Sequence, residues 1–133
     1  VSERFQSNYG KAIHPSAQIS RRAFISEGTV VMGNAVINTG TVIGKHVIIN
    51  TSASIDHDCR IDDFAHISPN ATLCGGVSVG EGTHIGASAV IIPGIKIGKW
   101  ATIGAGTVVI HDVPDNVTIV GNPGKIIKSN PGS

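Results

Sequence analysis

The sequence predicts an all-β chain wound as a coil of short strands, and three observations carry that prediction. Its branched aliphatic residues are 20 Ile and 14 Val against a single Leu, Leu73. Ile and Val are stiff at the first side-chain torsion and favour extended backbone, whereas Leu is a leading helix former. Seventeen Gly are spread among them, so the strands must be brief and cut by turns. The third observation is an internal repeat of six: Ile13, Ile19, Ile25, Val31 and every sixth residue onward to Ile97, Ile103 and Val109 are aliphatic without a gap. A fixed short period is the mark of a solenoid, in which each unit buries its apolar face against its neighbours.

Each hexad then reads as one strand and one corner. Two residues before the aliphatic position sits a small or β-branched one, as in Ala17, Thr29, Ala35, Thr41, Ala53, Cys59, Ala65 and Ala89. Positions two apart on a strand share a face, so both look inward, one bulky and one slight, and successive layers can interlock. Directly after the aliphatic position comes turn chemistry: Ser20, Asn38, Gly44, Asn50, Asp56, Asp62, Gly80 and Gly98. Gly, Asn and Asp tolerate left-handed backbone, so the corner is expected to turn there. Winding the hexads so that each strand bonds to the one a full turn later leaves no open sheet edges along the coil.

The frame starts at Ile13 and fails at Asp115. Residues 1–12, with Phe5 and Tyr9, are expected to cap the first coil, residues 13–110 to form the repeat, and residues 111–133 to form a C-terminal strand and tail. Within that tail, Val113-Pro114-Asp115-Asn116 reads as a turn. Residues 117–120 follow as one more strand, and Asn122-Pro123-Gly124 as a second turn before residues 125–128.

Length and charge narrow the function. The chain has 133 residues, the size of one domain. Ten Lys plus Arg stand against nine Asp plus Glu, so a general basic face for nucleic acid or an acidic membrane is not expected. No apolar run approaches the roughly 18 residues of a membrane span, and residues 1–10 lack the pattern of a signal peptide. A soluble, cytoplasmic protein is the expectation. Cys59 and Cys74 have no metal-type spacing and read as free thiols in a reducing compartment.

The hexads Ile43-Gly44-Lys45-His46-Val47-Ile48 and Ile97-Gly98-Lys99-Trp100-Ala101-Thr102 resemble the motif of the hexapeptide-repeat acyltransferases. That resemblance implies a left-handed parallel β-helix with three hexads per coil. Residues 18 apart would then stack at about 4.8 Å, so residues 13–109 make five to six coils and a prism about 27 Å long. A packed prism has no pocket of its own, so chemistry belongs on its outer faces or between copies of the chain. The candidates are six His: His14, His46, His57, His66, His84 and His111. His57 stands out because it lies between Asp56 and Asp58 at a corner, where a carboxylate can hold one ring nitrogen and leave the other to accept a proton. Gly75 falls 18 residues on, one coil along the same edge, and its unshielded amide is placed to hold an oxyanion.

Residues 50–71, NTSASIDHDCRIDDFAHISPNA, carry a closer resemblance, to the bacterial sugar acetyltransferases that include sialic acid O-acetyltransferases and UDP-4-amino-sugar N-acetyltransferases. The likeness continues through residues 76–99 and 113–127 and covers nearly all of residues 14–127. It implies acetyl-CoA as cosubstrate and a sugar or nucleotide sugar as acceptor, with direct transfer in a homotrimer. By the same resemblance His57 is the general base and Asp58 the acid that strengthens it. His66 contacts acetyl-CoA, the Gly75 amide faces the thioester oxygen, and Ala87 and Ala105 contact the cofactor further along the prism. Two departures stand out. The closing motif has Gly124 where the family usually has Ala, and the nucleotide-sugar-binding domain that normally precedes the helix has no counterpart in the dozen residues before Ile13. The chain is therefore expected to be an excised acetyltransferase domain or a member that finds its acceptor differently.

Two rival readings remain. A zinc enzyme like the γ-class carbonic anhydrases would use His66 and His84, which are 18 apart and should stack, but its His-x4-His ligand pair is missing. A non-catalytic scaffold would use the prism only for rigidity. Cys59 occupies an inward position and is expected to pack rather than to act as an acyl nucleophile. Trp100 points outward and is expected to serve surface packing.

Overall fold

The structure, a computed structural model, describes residues 6–8 and 10–129. Strand β1 (Gln6–Asn8) folds back antiparallel on β2 (Lys11–Ile13), the first rung of the coil. Sixteen two-residue rungs follow, from β3 (Gln18–Ile19) to β18 (Val108–Val109), and the chain closes with β19 (Val117–Gly121) and β20 (Gly124–Ser129). The rungs sort into three sheets in strict rotation. Face I holds the rungs ending at Ile13, Val31, Ile49, Ile67, Ile85 and Ile103, face II those at Ile19, Ile37, Ile55, Leu73, Ile91 and Val109, and face III those at Ile25, Ile43, Ile61, Val79 and Ile97. Every pairing between these rungs is parallel and 18 residues long, as in Ile43 to Ile61 to Val79. This is the parallel β-helix that the hexads predict.

The aliphatic column is the core. Ile43, Ile49, Ile55, Ile67, Leu73, Ile85, Ile91 and Ile103 are fully buried, and the slight partners Ala35, Ala53, Ala71 and Ala89 are buried beside them. Ile13, Ile19 and Ile25 are only partly buried, because they lie at the end of the coil among the described residues. Several of the slight positions are Thr for a further reason. Thr83 Oγ1 donates to the Gly98 carbonyl at 2.6 Å and accepts the Ala101 N–H at 3.1 Å. Thr29 and Thr41 make the same two bonds to the coil above them. Each hydroxyl thereby satisfies two corner groups that would otherwise be buried unpaired.

The corners turn at a different residue from the one the sequence suggests. From Gly28 to Gly106 every sixth residue has a positive φ, between 54° and 78°, and it lies three residues after the aliphatic position rather than directly after it. The residue directly after is still on the ladder: Gly44 N–H donates to the Ile61 carbonyl and Asp56 N–H to the Leu73 carbonyl. Its glycines serve close approach, since a Cβ on Gly80 would stand 2.5 Å from the Gly98 carbonyl carbon. Bulky residues occupy the left-handed site on the ridge between faces III and I, where His46, Phe64 and Trp100 have φ of 54°, 64° and 54°. The Trp100 ring lies over Gly82 and the His46 ring over Gly28, so Trp100 packs on the surface as expected.

Beyond Val109 the frame slips by two. Val113 bridges to Ile97, and Thr118 and Ile119 pair with Thr102 and Ile103, a step of 16 in place of 18. The slip removes the group that Thr107 would have met in a further regular coil, and its buried Oγ1 has no partner among the described residues. Strand β20 returns antiparallel along β19, so the expected last strand and second turn form a hairpin. Phe5 and Tyr9, the expected cap residues, lie outside the described residues. Among the described residues no helix is long and apolar enough to cross a membrane.

Candidate active site

His57 and Asp58 occupy the corner between faces II and III, and each neighbour holds them by a different bond. Asp56 Oδ1 accepts the His57 N–H at 2.7 Å and the Asn38 side-chain amide at 3.2 Å. Asp56 therefore shapes the corner, and Asp58 is the carboxylate that meets the ring. Asp58 has φ 56°, which swings its side chain back over Gly40 and brings Oδ2 to 3.1 Å from His57 Nδ1. With Nδ1–H donating to that carboxylate, the lone pair of Nε2 is the one free to take a proton. The His57 and Asp58 side chains are 57% and 70% exposed, so the pair rides an open ridge.

Gly75 stands one coil along the same ridge, where Gly76 N–H donates to the His57 carbonyl at 2.9 Å. Gly75 is not in the left-handed region, and what requires glycine is space: a Cβ there would lie 2.5 Å from His57 Nε2. Its carbonyl accepts from Gly94, while its N–H has no protein acceptor among the described residues. His57 Nε2 and Gly75, whose N–H is unpaired among the described residues, thus adjoin on one ridge. Cys59, directly beneath, is buried and donates its S–H to the Cys74 carbonyl at 3.2 Å. Burial pushes this thiol above its ordinary pKa, the reverse of what a nucleophile needs.

The remaining predicted residues lie elsewhere on the prism. Ala87 and Ala105 are exposed on the corner between faces I and II, joined by the Gly106 N–H to Ala87 carbonyl bond, and neither amide N–H has a protein acceptor among the described residues. His66 projects from the middle of face I and stacks on His84, with ring centroids 4.6 Å apart. Burial first, and the facing His84 second, hold His66 below the usual imidazole pKa. In a triangular prism the corner between faces II and III is opposite face I. One chain therefore brings His57, Asp58 and Gly75 together, aligns Ala87 with Ala105, and keeps the two sets apart. The polar partners of the histidine stack, Asn50 and Ser68, escaped sequence reasoning; their signal is a 16-residue offset to His66 and His84 that only the coil geometry explains.

Two recesses of the single chain miss the ridge. One is lined by Arg60, Asp62, Asp63, Glu81 and Lys99, the other lies under the terminal hairpin against Val109, His111 and Ile126. No group of three or more His, Cys, Asp or Glu side chains placed to hold a metal ion occurs among the described residues.

Residues 76–111 match the family model described as bacterial transferase hexapeptide (six repeats). Over those residues the chain carries the repeat that this model describes. It is similar to the acetyltransferase domain of PglB from Neisseria gonorrhoeae, solved alone and with acetyl coenzyme A, at 44% identity and a TM-score of 0.88 over 90% of this chain and 58% of that one. It is also similar to perosamine N-acetyltransferase from Caulobacter crescentus, solved with CoA and GDP-perosamine, at 45% identity and a TM-score of 0.89 over 90% of this chain and 57% of that one. Serine acetyltransferase of Bacillus subtilis is 34% identical over an alignment of 125 residues that covers 91% of this chain and 49% of that protein. The hexapeptide-repeat chain thus spans about half the length of its curated relative and under three fifths of the two solved ones.

Proposed function

We propose that this hexapeptide-repeat chain transfers an acetyl group from acetyl-CoA directly to an amine or hydroxyl of a sugar, with an amino group on a nucleotide-linked sugar as the favoured acceptor. The observation that carries the reading is the ridge that sets His57 Nε2 beside Gly75, whose N–H has no protein acceptor among the described residues. In the proposed step His57 Nε2 takes the proton of the acceptor while its nitrogen or oxygen bonds to the thioester carbonyl carbon. The charge that gathers on the carbonyl oxygen meets the Gly75 N–H. The C–S bond then breaks, and the departing thiolate receives the proton from His57. Asp58 holds the ring by Nδ1, and proton transfer to a positioned base such as His57 is worth about 10²- to 10⁴-fold; an amide at the oxyanion adds about 10²- to 10³-fold. The acceptor assignment draws on the relatives, since the PglB domain was solved with acetyl coenzyme A and perosamine N-acetyltransferase with CoA and a GDP-linked sugar.

The site is completed by a second copy. For the Ala87 and Ala105 ridge of one chain to meet the His57 ridge of the next, face II, which lies between those ridges, must turn toward a common axis. Its outward column, Gln18, Val36, Ser54, Thr72, Val90 and Val108, carries no charge, as a packed interface requires. Three copies then form a homotrimer with three clefts, each walled by face I of one chain, carrying His66, and face III of its neighbour. The free thiols Cys59 and Cys74 suit a cytoplasmic setting.

The test is acetyl transfer by a folded His57→Ala variant, after acceptors have been screened with acetyl-CoA. A fall in kcat of at least about 10²-fold is expected, and undiminished turnover would remove the assignment. Light scattering that gives a monomer mass under assay conditions would remove the trimer.

A further inference from the structure

The histidine stack on face I is pinned at both rings by the same device. His66 on β11 (His66–Ile67) and His84 on β14 (His84–Ile85) are register partners, and their rings lie 26° from parallel. Each Nε2 meets a polar side chain from the coil before. Asn50 Nδ2 is 3.4 Å from His66 Nε2, and Ser68 Oγ is 2.8 Å from His84 Nε2. Asn50 has no freedom to present its oxygen instead, because Oδ1 already accepts the Thr51 N–H at 2.8 Å. The group that faces His66 Nε2 is therefore a donor, and the ring nitrogen must accept. A neutral imidazole that accepts at Nε2 carries its proton on Nδ1. A second proton would set N–H against N–H and bring a cation against the His84 ring.

Among the described residues, His84 is the one charged or titratable group that acts on the ring from the elements packed beside it. Strand β8 (Ile48–Ile49) contributes Ile48, and beyond β14 the next rung, β17 (Thr102–Ile103), contributes Thr102. His84 is the titratable group next to His66 on this face, and its effect on His66 runs in the same direction as burial.

We infer that His84 and Asn50 are positioning residues that keep His66 neutral and present its Nδ1–H as a hydrogen-bond donor to a carbonyl oxygen of the bound thioester cofactor. The inference rests on the reading of His66 as a cofactor contact. It adds which nitrogen donates, and which side chains decide that. A neutral donor at this place binds an acyl thioester or a pantetheine amide through oxygen and adds no charge to the cleft.

Histidine 15N NMR on the intact chain tests the tautomer without turnover. His66 is expected as the Nδ1–H form at pH 7, and Asn50→Asp, which turns a carboxylate oxygen toward Nε2, is expected to protonate that nitrogen. In His84→Ala the Kd for coenzyme A is expected to rise by about 2- to 10-fold, the worth of one ring stack. His84→Phe, which keeps a ring on His66, is expected to restore that affinity. A proton on Nε2 in the wild-type chain, or no change of tautomer in Asn50→Asp, overturns the inference. Unchanged acetyl-CoA affinity in His66→Ala overturns the donor's role. The transferase reading itself stands or falls on His57→Ala.

Discussion

Replacing Gly75 by Ala separates the chemistry of the ridge from its stability. The new methyl would sit 2.5 Å from His57 Nε2 and 2.6 Å from Cε1. Ordinary carbon contacts lie at about 3.5–4 Å, so the ring must retreat by about 1 Å. Its side chain is 57% exposed, which lets it swing toward solvent, and Gly75 has no positive φ to strain. The fold should lose less than about 1 kcal/mol. The base, however, leaves its 3.1 Å bond to Asp58 and its place opposite the Gly75 amide. A misplacement of about 1 Å is worth about 10²-fold in rate, or about 2.7 kcal/mol of barrier. Gly76→Ala is the matched control. Gly76 has φ +71° with nothing nearer than 4.0 Å, so Ala there costs about 1 kcal/mol of backbone strain and about 3–5 °C in Tm while sparing the ring. The assay is release of coenzyme A thiol with a competent acceptor, alongside thermal unfolding of both variants. Gly75→Ala with kcat/KM within threefold of wild type, or Gly76→Ala losing as much, would refute the reasoning.

Three further outcomes follow from buried groups. Thr83→Val removes the donor to the Gly98 carbonyl and leaves the Ala101 N–H without an acceptor, so urea unfolding should show a loss of about 1–3 kcal/mol. His66 is less basic in the folded chain than its ordinary value of 6.5, so below that pH the unfolded chain binds the additional proton. Stability should therefore fall as pH drops from 6.5 through the folded value, and His66→Phe should remove that part of the fall. Cys59 is raised above its ordinary 9.0 by burial, so iodoacetamide at pH 8, followed by mass spectrometry, should label Cys74 and spare Cys59 until the chain is denatured. Above pH 9 the unfolded thiol ionises first, and stability should decline with rising pH.

Most of the prism was legible because a hexad states its own burial. The period marks Ile43, Ile61 and Val79 as inward residues, the family resemblance, with three hexads per coil, puts them in one column, and they pair as register partners. Less legible was where each corner turns, since Gly44 and Asp58 both suit left-handed backbone as residue types, and only the ladder bond from Gly44 N–H to Ile61 O shows that the strand has not yet ended there. The slip to a step of 16 was also hidden: the frame visibly fails at Asp115, yet nothing local says that Val113 takes up the rung opposite Ile97. At the site, the 18-residue spacing put His57 beside Gly75. It could not say that Asp56 caps the corner while Asp58 holds the ring, because both carboxylates are one residue away in the chain.

By itself the sequence determined the coil and its layers of large and slight side chains. Each of these depends on a period, and a period is a property of the chain. Tertiary structure decided which side of the prism each group occupies. His57 and Gly75 share one ridge, Ala87 and Ala105 another, and His66 lies on the face opposite the first. The physical reason is the triangular cross-section, which sends groups nine or twelve residues apart to different faces.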